Sequence, residues 1–189
     1  MNIEIHCTIV ECSLGCILVA ATAEGILDIS LGDDPELLMH ELRQRYPQSA
    51  LSGGDTGDEM RAALVADYVE RPAGRLELPL HIRGTAFQQQ VWRALMHIPA
   101  GDTVSYGALA RRIGRPGSSR AVAAACAANT LAIAIPCHRV IGSNGALCGY
   151  RWGVERKRAL LNREANIAKT GNRVEAWDSP RTRDMQIAG

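Results

Sequence analysis

Between residues 72 and 84 the chain carries Pro72, Gly74, Pro79 and Gly84, and its charge changes sign there. Proline and glycine interrupt helix and strand patterns alike, so no regular element is expected to run through this stretch. Residues 1–80 hold five basic side chains against fourteen acidic ones, a net of −9. Residues 81–163 hold twelve basic against two acidic, a net of +10, and the overall charge of +1 conceals the split. We therefore expect an N-terminal α/β domain over 1–80 and a second domain over 81–165. From residue 164 onward the charges balance, four against four, and residues 166–189 have little apolar periodicity and read as a mobile tail. The basic half points to a polyanion partner. The alternative is a solvated basic face with no partner.

A length of 189 residues allows one large core or two small ones. No apolar run approaches the ~20 residues of a membrane span. Glu4 and His6 interrupt any signal-peptide pattern, so the reading is a cytoplasmic protein with no membrane association. Six cysteines at positions 7, 12, 16, 126, 137 and 148 are expected to be reduced there. His6, Cys7, Cys12 and Cys16 have spacing that could hold a metal, but no C-x-x-C pair is present. We read these cysteines as small apolar strand residues and predict no metal.

The first segment alternates apolar and polar residues from Ile3 to Val10. It turns at Ser13-Leu14-Gly15 and again at Ala23-Glu24-Gly25, which predicts a three-stranded antiparallel meander. Asp33-Asp34-Pro35 opens a helix that ends near Tyr46-Pro47. A polar loop at 52–55 precedes a second helix over about 57–70. In the basic half, Thr85 caps a helix through Met96. Two short helices follow, about 105–113 and 118–128, joined by Gly114-Arg115-Pro116-Gly117. This pattern fits a helix-turn-helix or a plain helical hairpin. Val140-Ile141, a turn at 142–145 and Ala146-Leu147 predict a short hairpin, the wing of a winged helix. A last helix is expected over about 153–164.

The chemistry centres on Pro136-Cys137-His138-Arg139-Val140. A thiolate is a strong nucleophile, but a thiol near pKa ~8.5 needs a base to ionise at neutral pH. His138 is the adjacent base candidate. Neighbours on an extended strand point apart, so the link requires a turn or one bridging water. Glu164, at the end of the last helix, is a candidate to orient His138.

Several stretches carry a resemblance. They are Phe87-Gln88-Gln89-Gln90-Val91-Trp92, Ile98 to Tyr106, Arg120-Ala121-Val122-Ala123, Ala128-Asn129, Ile135 to Ile141, and Gly149-Tyr150-Arg151-Trp152-Gly153. In this order they resemble the O6-alkylguanine-DNA alkyltransferase family (methylated-DNA–protein-cysteine methyltransferases), especially the C-terminal half of its Ada-type members. Residues 10–80 resemble the family's N-terminal domain more loosely. The resemblance implies an α/β (α+β) chain: a ribonuclease H-like N-terminal domain, then a mostly helical winged helix-turn-helix domain.

The resemblance also implies roles. Cys137 takes the alkyl group from O6 of guanine, with O4 of thymine a second candidate, in a single-turnover suicide reaction. His138 removes the thiol proton through water, Glu164 orients His138, Tyr106 protonates the leaving guanine, and Asn129 braces the cysteine turn. Val140, Tyr150, Arg151 and Cys126 line the pocket. Arg120 fills the gap left by the flipped base, and the small residues Ala121 and Ala124 let the helix approach the minor groove. Arg111, Arg112 and Arg115 are phosphate contacts, while Arg139 is either another or a buried partner of a carboxylate. The implied partner is alkylated double-stranded DNA, met by a monomer without a cofactor. Cys148, where Ada-type relatives carry serine, is either a second reactive thiol or an inert substitution.

Overall fold

The computed structural model describes residues 3–72 and 76–170, with side chains through 167. Gly74 of the linker and residues 171–189, most of the expected tail, lie outside the described residues.

The alternating N-terminal segment forms β1 (Glu4–Cys12), β2 (Gly15–Thr22) and β3 (Gly25–Gly32), paired antiparallel in sequence. The sheet has four strands rather than the three expected. Strand β4 (Ala50–Gly53) adds to β1 in parallel, giving the order β3-β2-β1-β4. Its four residues, Ala50-Leu51-Ser52-Gly53, are mostly exposed and carry no strand pattern of their own. Backbone pairing to β1 makes the strand, and that pairing leaves no periodic signature.

Helix α1 (Pro35–Arg45) starts where Asp34 accepts main-chain hydrogen bonds from Glu36 and Leu37. It covers one sheet face, packing Leu38 and Leu42 on Ile5, Leu18, Ala20 and Leu27. Helix α2 (Thr56–Glu70), opened by a capping box at Asp55 and Asp58, covers the other face. There Val65 and Val69 meet Ile17, Val19, Ile29 and Leu31. Burial on both faces explains why β2 reads as a continuous apolar run.

That second core does not stop at the linker. It continues into α3 (Ala86–Leu95) through Val91, Trp92 and Leu95, and on to Leu109, Val122, Ile135, Val140 and Leu160. The linker is itself tied to the sheet. Ile26 N–H donates to Pro79 O at 2.8 Å and His81 N–H to Ile26 O at 2.8 Å. Gly25 (φ +133°) permits this approach, since a Cβ there would lie 2.5 Å from Pro79 O.

Ser105 caps α4 (Tyr106–Arg112) through a 3.1 Å hydrogen bond from Ala108 N–H. The predicted turn leads to α5 (Ser119–Ala127), whose N-cap residue is Ser118 but without a side-chain cap bond. The predicted hairpin after residue 140 differs. Val140–Ile141 is strand β6, paired in parallel with β5 (Val104–Ser105) and not with Ala146-Leu147. The turn itself is present, Gly142 N–H donating to Ala146 O at 2.8 Å. Val140 is fully buried against the core, so packing selects the partner that comes from inside. The last helix, α6 (Val154–Thr170), continues past Glu164. No helix among the described residues is long and apolar enough to cross a membrane.

Candidate active site

The segment from Asn129 to Cys137 is a turn built around one buried amide. Asn129 Oδ1 accepts from Leu131 N–H at 2.9 Å. Its Nδ2 donates to the Ile135 carbonyl at 2.9 Å and to Cys137 Sγ at 3.3 Å. The side chain thus closes the turn at both ends and touches the sulfur. Within it Ile133 sits at φ +71°, a left-handed conformation that a β-branched residue rarely adopts. Cys137–Arg139 then forms one 3-10 turn instead of extended strand.

Helix α6 supplies the other half of the site. Lys157 and Glu164 are seven residues apart, two helical turns, so they share one face. Both are buried. Glu164 Oε1 receives His138 Nε2 at 2.8 Å. Arg139 binds the same carboxylate through Nε at 3.1 and 3.2 Å and through Nη2 at 2.9 Å. Gly101 N–H donates to Oε2 at 3.2 Å. Arg139 also donates to Ile98 O and Tyr68 Oη. Of its two predicted roles the structure selects the buried carboxylate partner, which no phosphate can reach.

The electrostatics follow from burial. The Cys137 thiol is pushed up to about 11 by loss of solvent, against the opposing pull of Asn129 and Lys157. At pH 7 only about one molecule in 10⁴ would carry the thiolate, so a base is required. Burial alone would raise the Glu164 carboxyl, but hydrogen bonds from His138 and Arg139 outweigh it and hold it at about 2. Burial lowers the His138 imidazole, although Glu164 pulls the other way. A neutral ring whose Nε2–H faces the carboxylate leaves Nδ1 as a free lone pair. No direct hydrogen bond joins that ring to Cys137 Sγ.

Tyr106 heads α4, and its hydroxyl donates to Cys148 O at 3.4 Å rather than to any member of the Cys-His-Glu set. Burial raises it to about 12, so it keeps its proton at neutral pH. Arg111, Arg112 and Arg115 are exposed around the α4–α5 turn. Arg120, Ala121 and Ala124 lie exposed along one side of α5, while Val122, Ala125 and Cys126 turn inward. The Tyr150 ring stands edge-on between His138 (6.3 Å) and Trp152 (5.1 Å). Arg151 is exposed, with Nη1 3.5 Å from Ala127 O. Cys148 is exposed, and its carbonyl rather than its thiol receives Tyr106 and Lys157.

Lys157 is the residue that sequence reasoning missed. Its Nζ donates to the carbonyls of Val140 (2.6 Å), Cys148 (3.0 Å) and Gly149 (3.4 Å), pinning the loop that crosses the site. The signal was available: Lys157 shares the inward stripe of Val154, Leu160 and Glu164, where a solvated lysine has no place.

Fold and site together define a protein with a buried cysteine thiol beside a hydrogen-bonded His–carboxylate pair, on a helical unit packed against a mixed sheet. The comparisons narrow that class. A family model for the 6-O-methylguanine DNA methyltransferase DNA binding domain matches residues 86–166. The inducible methylated-DNA–protein-cysteine methyltransferase of Bacillus subtilis is 42% identical over 147 residues, 77% of this chain and 82% of that protein. The bifunctional transcriptional activator/DNA repair enzyme Ada of Escherichia coli is 51% identical over 164 residues, 87% of this chain but 46% of Ada. The chain thus spans about half the length of the Ada-type relatives it matches. A Mycobacterium tuberculosis OGT solved in complex with DNA superposes with a TM-score of 0.71 at 33% identity, covering 87% of this chain and 94% of that one. The chain belongs to the methylated-DNA–protein-cysteine methyltransferase family.

Proposed function

We propose that the protein repairs DNA by transferring an alkyl group, methyl above all, from O6 of guanine irreversibly to Cys137 Sγ. The observation that carries this reading is the pair of hydrogen bonds Asn129–Cys137 and His138–Glu164, built into a chain of this family. His138 Nδ1 takes the thiol proton through one water, and Glu164 stabilises the imidazolium that forms. The sulfur attacks the alkyl carbon as the carbon–O6 bond breaks. Tyr106 gives a proton to the departing guanine, so the net transfer carries the thiol's proton to the base. The thioether product is inert to water, and each molecule acts once. O4 of thymine presents a similar alkoxy carbon and is a second candidate substrate.

The target carbon is reached only with the base out of the stack, at a cost of a few kcal/mol. We place α5 in the minor groove, with Ala121 and Ala124 against the backbone and Arg120 in the gap left by the base. Arg111, Arg112 and Arg115 hold phosphates, and Val140, Tyr150, Arg151 and Cys126 line the pocket. In this reading residues 1–80 form a ribonuclease H-like unit, and 81–165 a winged helix-turn-helix acting as a monomer on alkylated duplex in the cytoplasm. The α4–α5 pair and its connecting turn support the helix-turn-helix.

The test is intact-mass measurement after incubation with duplex carrying O6-methylguanine. A gain of one methyl on Cys137, stoichiometric and not exceeded, is the expected result. Binding without mass gain would refute the transfer.

A further inference from the structure

Among the described residues, two buried side-chain polar atoms have no hydrogen-bond partner in the chain: His138 Nδ1 and Tyr150 Oη. A buried polar atom left unpaired costs about 1–3 kcal/mol, so two on neighbouring rings call for a shared partner. Both flank the same sulfur. His138 follows Cys137 on the 3-10 turn, and the Tyr150 hydroxyl senses both Cys137 and Glu164 electrostatically. The two ring centres are 6.3 Å apart and the planes nearly perpendicular at 82°, so the unpartnered atoms belong to neighbouring side chains of one buried cluster.

We infer that Tyr150 is a positioning residue for proton removal: its hydroxyl and His138 Nδ1 share the water through which the Cys137 proton leaves. This rests on the proposed transfer and adds a third anchor to its relay. The water gives one hydrogen to Nδ1 and the other to Tyr150 Oη, which leaves a lone pair for the thiol S–H. In the step, the S–H bond breaks toward the water and a water proton passes to Nδ1. The products are a thiolate and an imidazolium paired with Glu164, and Tyr150 keeps its own proton throughout. With two anchors the water has one orientation; with His138 alone it would rotate about a single bond. Lys157 on α6, Cys126 on α5, Tyr106 at the head of α4 and Arg151 also face the sulfur electrostatically, and Tyr150→Phe alters none of them in sequence.

The test is Tyr150→Phe, which keeps the ring against Trp152 and His138. Two rates are read: single-turnover methyl transfer from duplex, and labelling of the Cys137 peptide by iodoacetamide as a function of pH. We expect transfer to slow about tenfold, the scale of one well-placed hydrogen bond. The labelling profile, which needs no DNA, should move to higher pH by about one unit. In a His138→Gln background, removing the hydroxyl should add nothing, because the relay is already lost. A Tyr150→Phe protein with wild-type transfer and labelling profile overturns the inference, and so does a full loss that persists in the His138→Gln background. A wild-type protein that accepts no methyl refutes the proposed function instead, and the labelling profile still decides the role of Tyr150.

Discussion

Replacing Glu164 by Gln tests the centre of the site, because the change keeps shape and removes charge. The carboxylate now accepts from His138, from Arg139 and from Gly101. A carboxyl held at about 2 instead of the ordinary 4.5 is stabilised by about 3 kcal/mol. Breaking a buried ion pair by removing one charge costs a similar amount, about 3–5 kcal/mol, since Arg139 then lies buried without a counter-charge. For a chain of this size that lowers the thermal midpoint by roughly 10 °C. The pH dependence has a definite sign. The folded value lies below the ordinary one, so the contribution is complete above about pH 4.5 and drains away as pH falls through about 2. Glu164→Gln should therefore flatten the loss of stability between pH 5 and pH 2. Methyl transfer, read at a temperature where the variant is folded, should fall about 10²-fold because His138 loses the negative charge that orients it and stabilises its imidazolium. Denaturation against pH, with intact-mass kinetics, measures both effects. A variant with the wild-type midpoint and acid profile would refute the pairing argument. One that is destabilised yet transfers methyl at the wild-type rate would refute the role of Glu164 in orienting His138.

Tyr106→Phe should slow transfer more than it weakens duplex binding, as measured by single-turnover kinetics beside a binding isotherm; equal losses would remove its role as proton donor. Arg120→Ala should slow repair of duplex but not of the free base, and unchanged duplex repair would count against its place in the stack. Lys157→Met removes the ammonium from three carbonyls, of which that of Cys148 keeps the Tyr106 hydroxyl. It should cost about 1–3 kcal/mol in chemical denaturation and slow transfer at least tenfold. A stable, fully active Lys157→Met protein would show that the 140–149 loop holds its shape unaided.

What was legible in the sequence is what local chemistry determines. Asp34-Pro35, Thr85 and Ser105 each open a helix, and the structure begins helices at those places, whereas the Asp55 cap, placed by the sequence in a loop, emerged only with the structure. Cys137, its neighbouring histidine and the distant Glu164 were candidates by residue type, and the family resemblance singled them out; the structure joins His138 to Glu164. Features that depend on long-range pairing were not legible. Strand β4 exists because β1 has a free side, and β6 pairs with β5, 36 residues earlier at Val104↔Val140, rather than with its neighbour in sequence. Arg139 could not be assigned because an arginine beside a cysteine looks the same whether it meets phosphate or carboxylate. Only the fold brings Glu164 to it.

The acidic N-terminal half contributes to the site although none of its residues was predicted to act there. Strand β3 is an edge of the sheet, and its outer side pairs with the reactive turn instead of with another strand. Ile29 N–H donates to Thr130 O at 2.8 Å, Ala132 N–H to Ile29 O at 3.0 Å, and Thr130 Oγ1 to Leu27 O at 3.3 Å. These bonds grip the turn between Asn129, which touches the sulfur, and Ile133, which holds the strained conformation. A strained turn persists only when its surroundings over-determine it, and here the surroundings are the sheet edge on one side and the Asn129 amide on the other. On the far side of the site Arg156 of α6 reaches back to the sheet, donating to Leu14 O at 2.8 Å and pairing with Asp33 at 2.6 Å. Both carriers of the chemistry, the cysteine turn and the helix bearing Lys157 and Glu164, are thus clamped to the same sheet. The distance between His138 on the turn and Glu164 on the helix is set by that shared support, which explains why a half that supplies no reactive group is built into the same core.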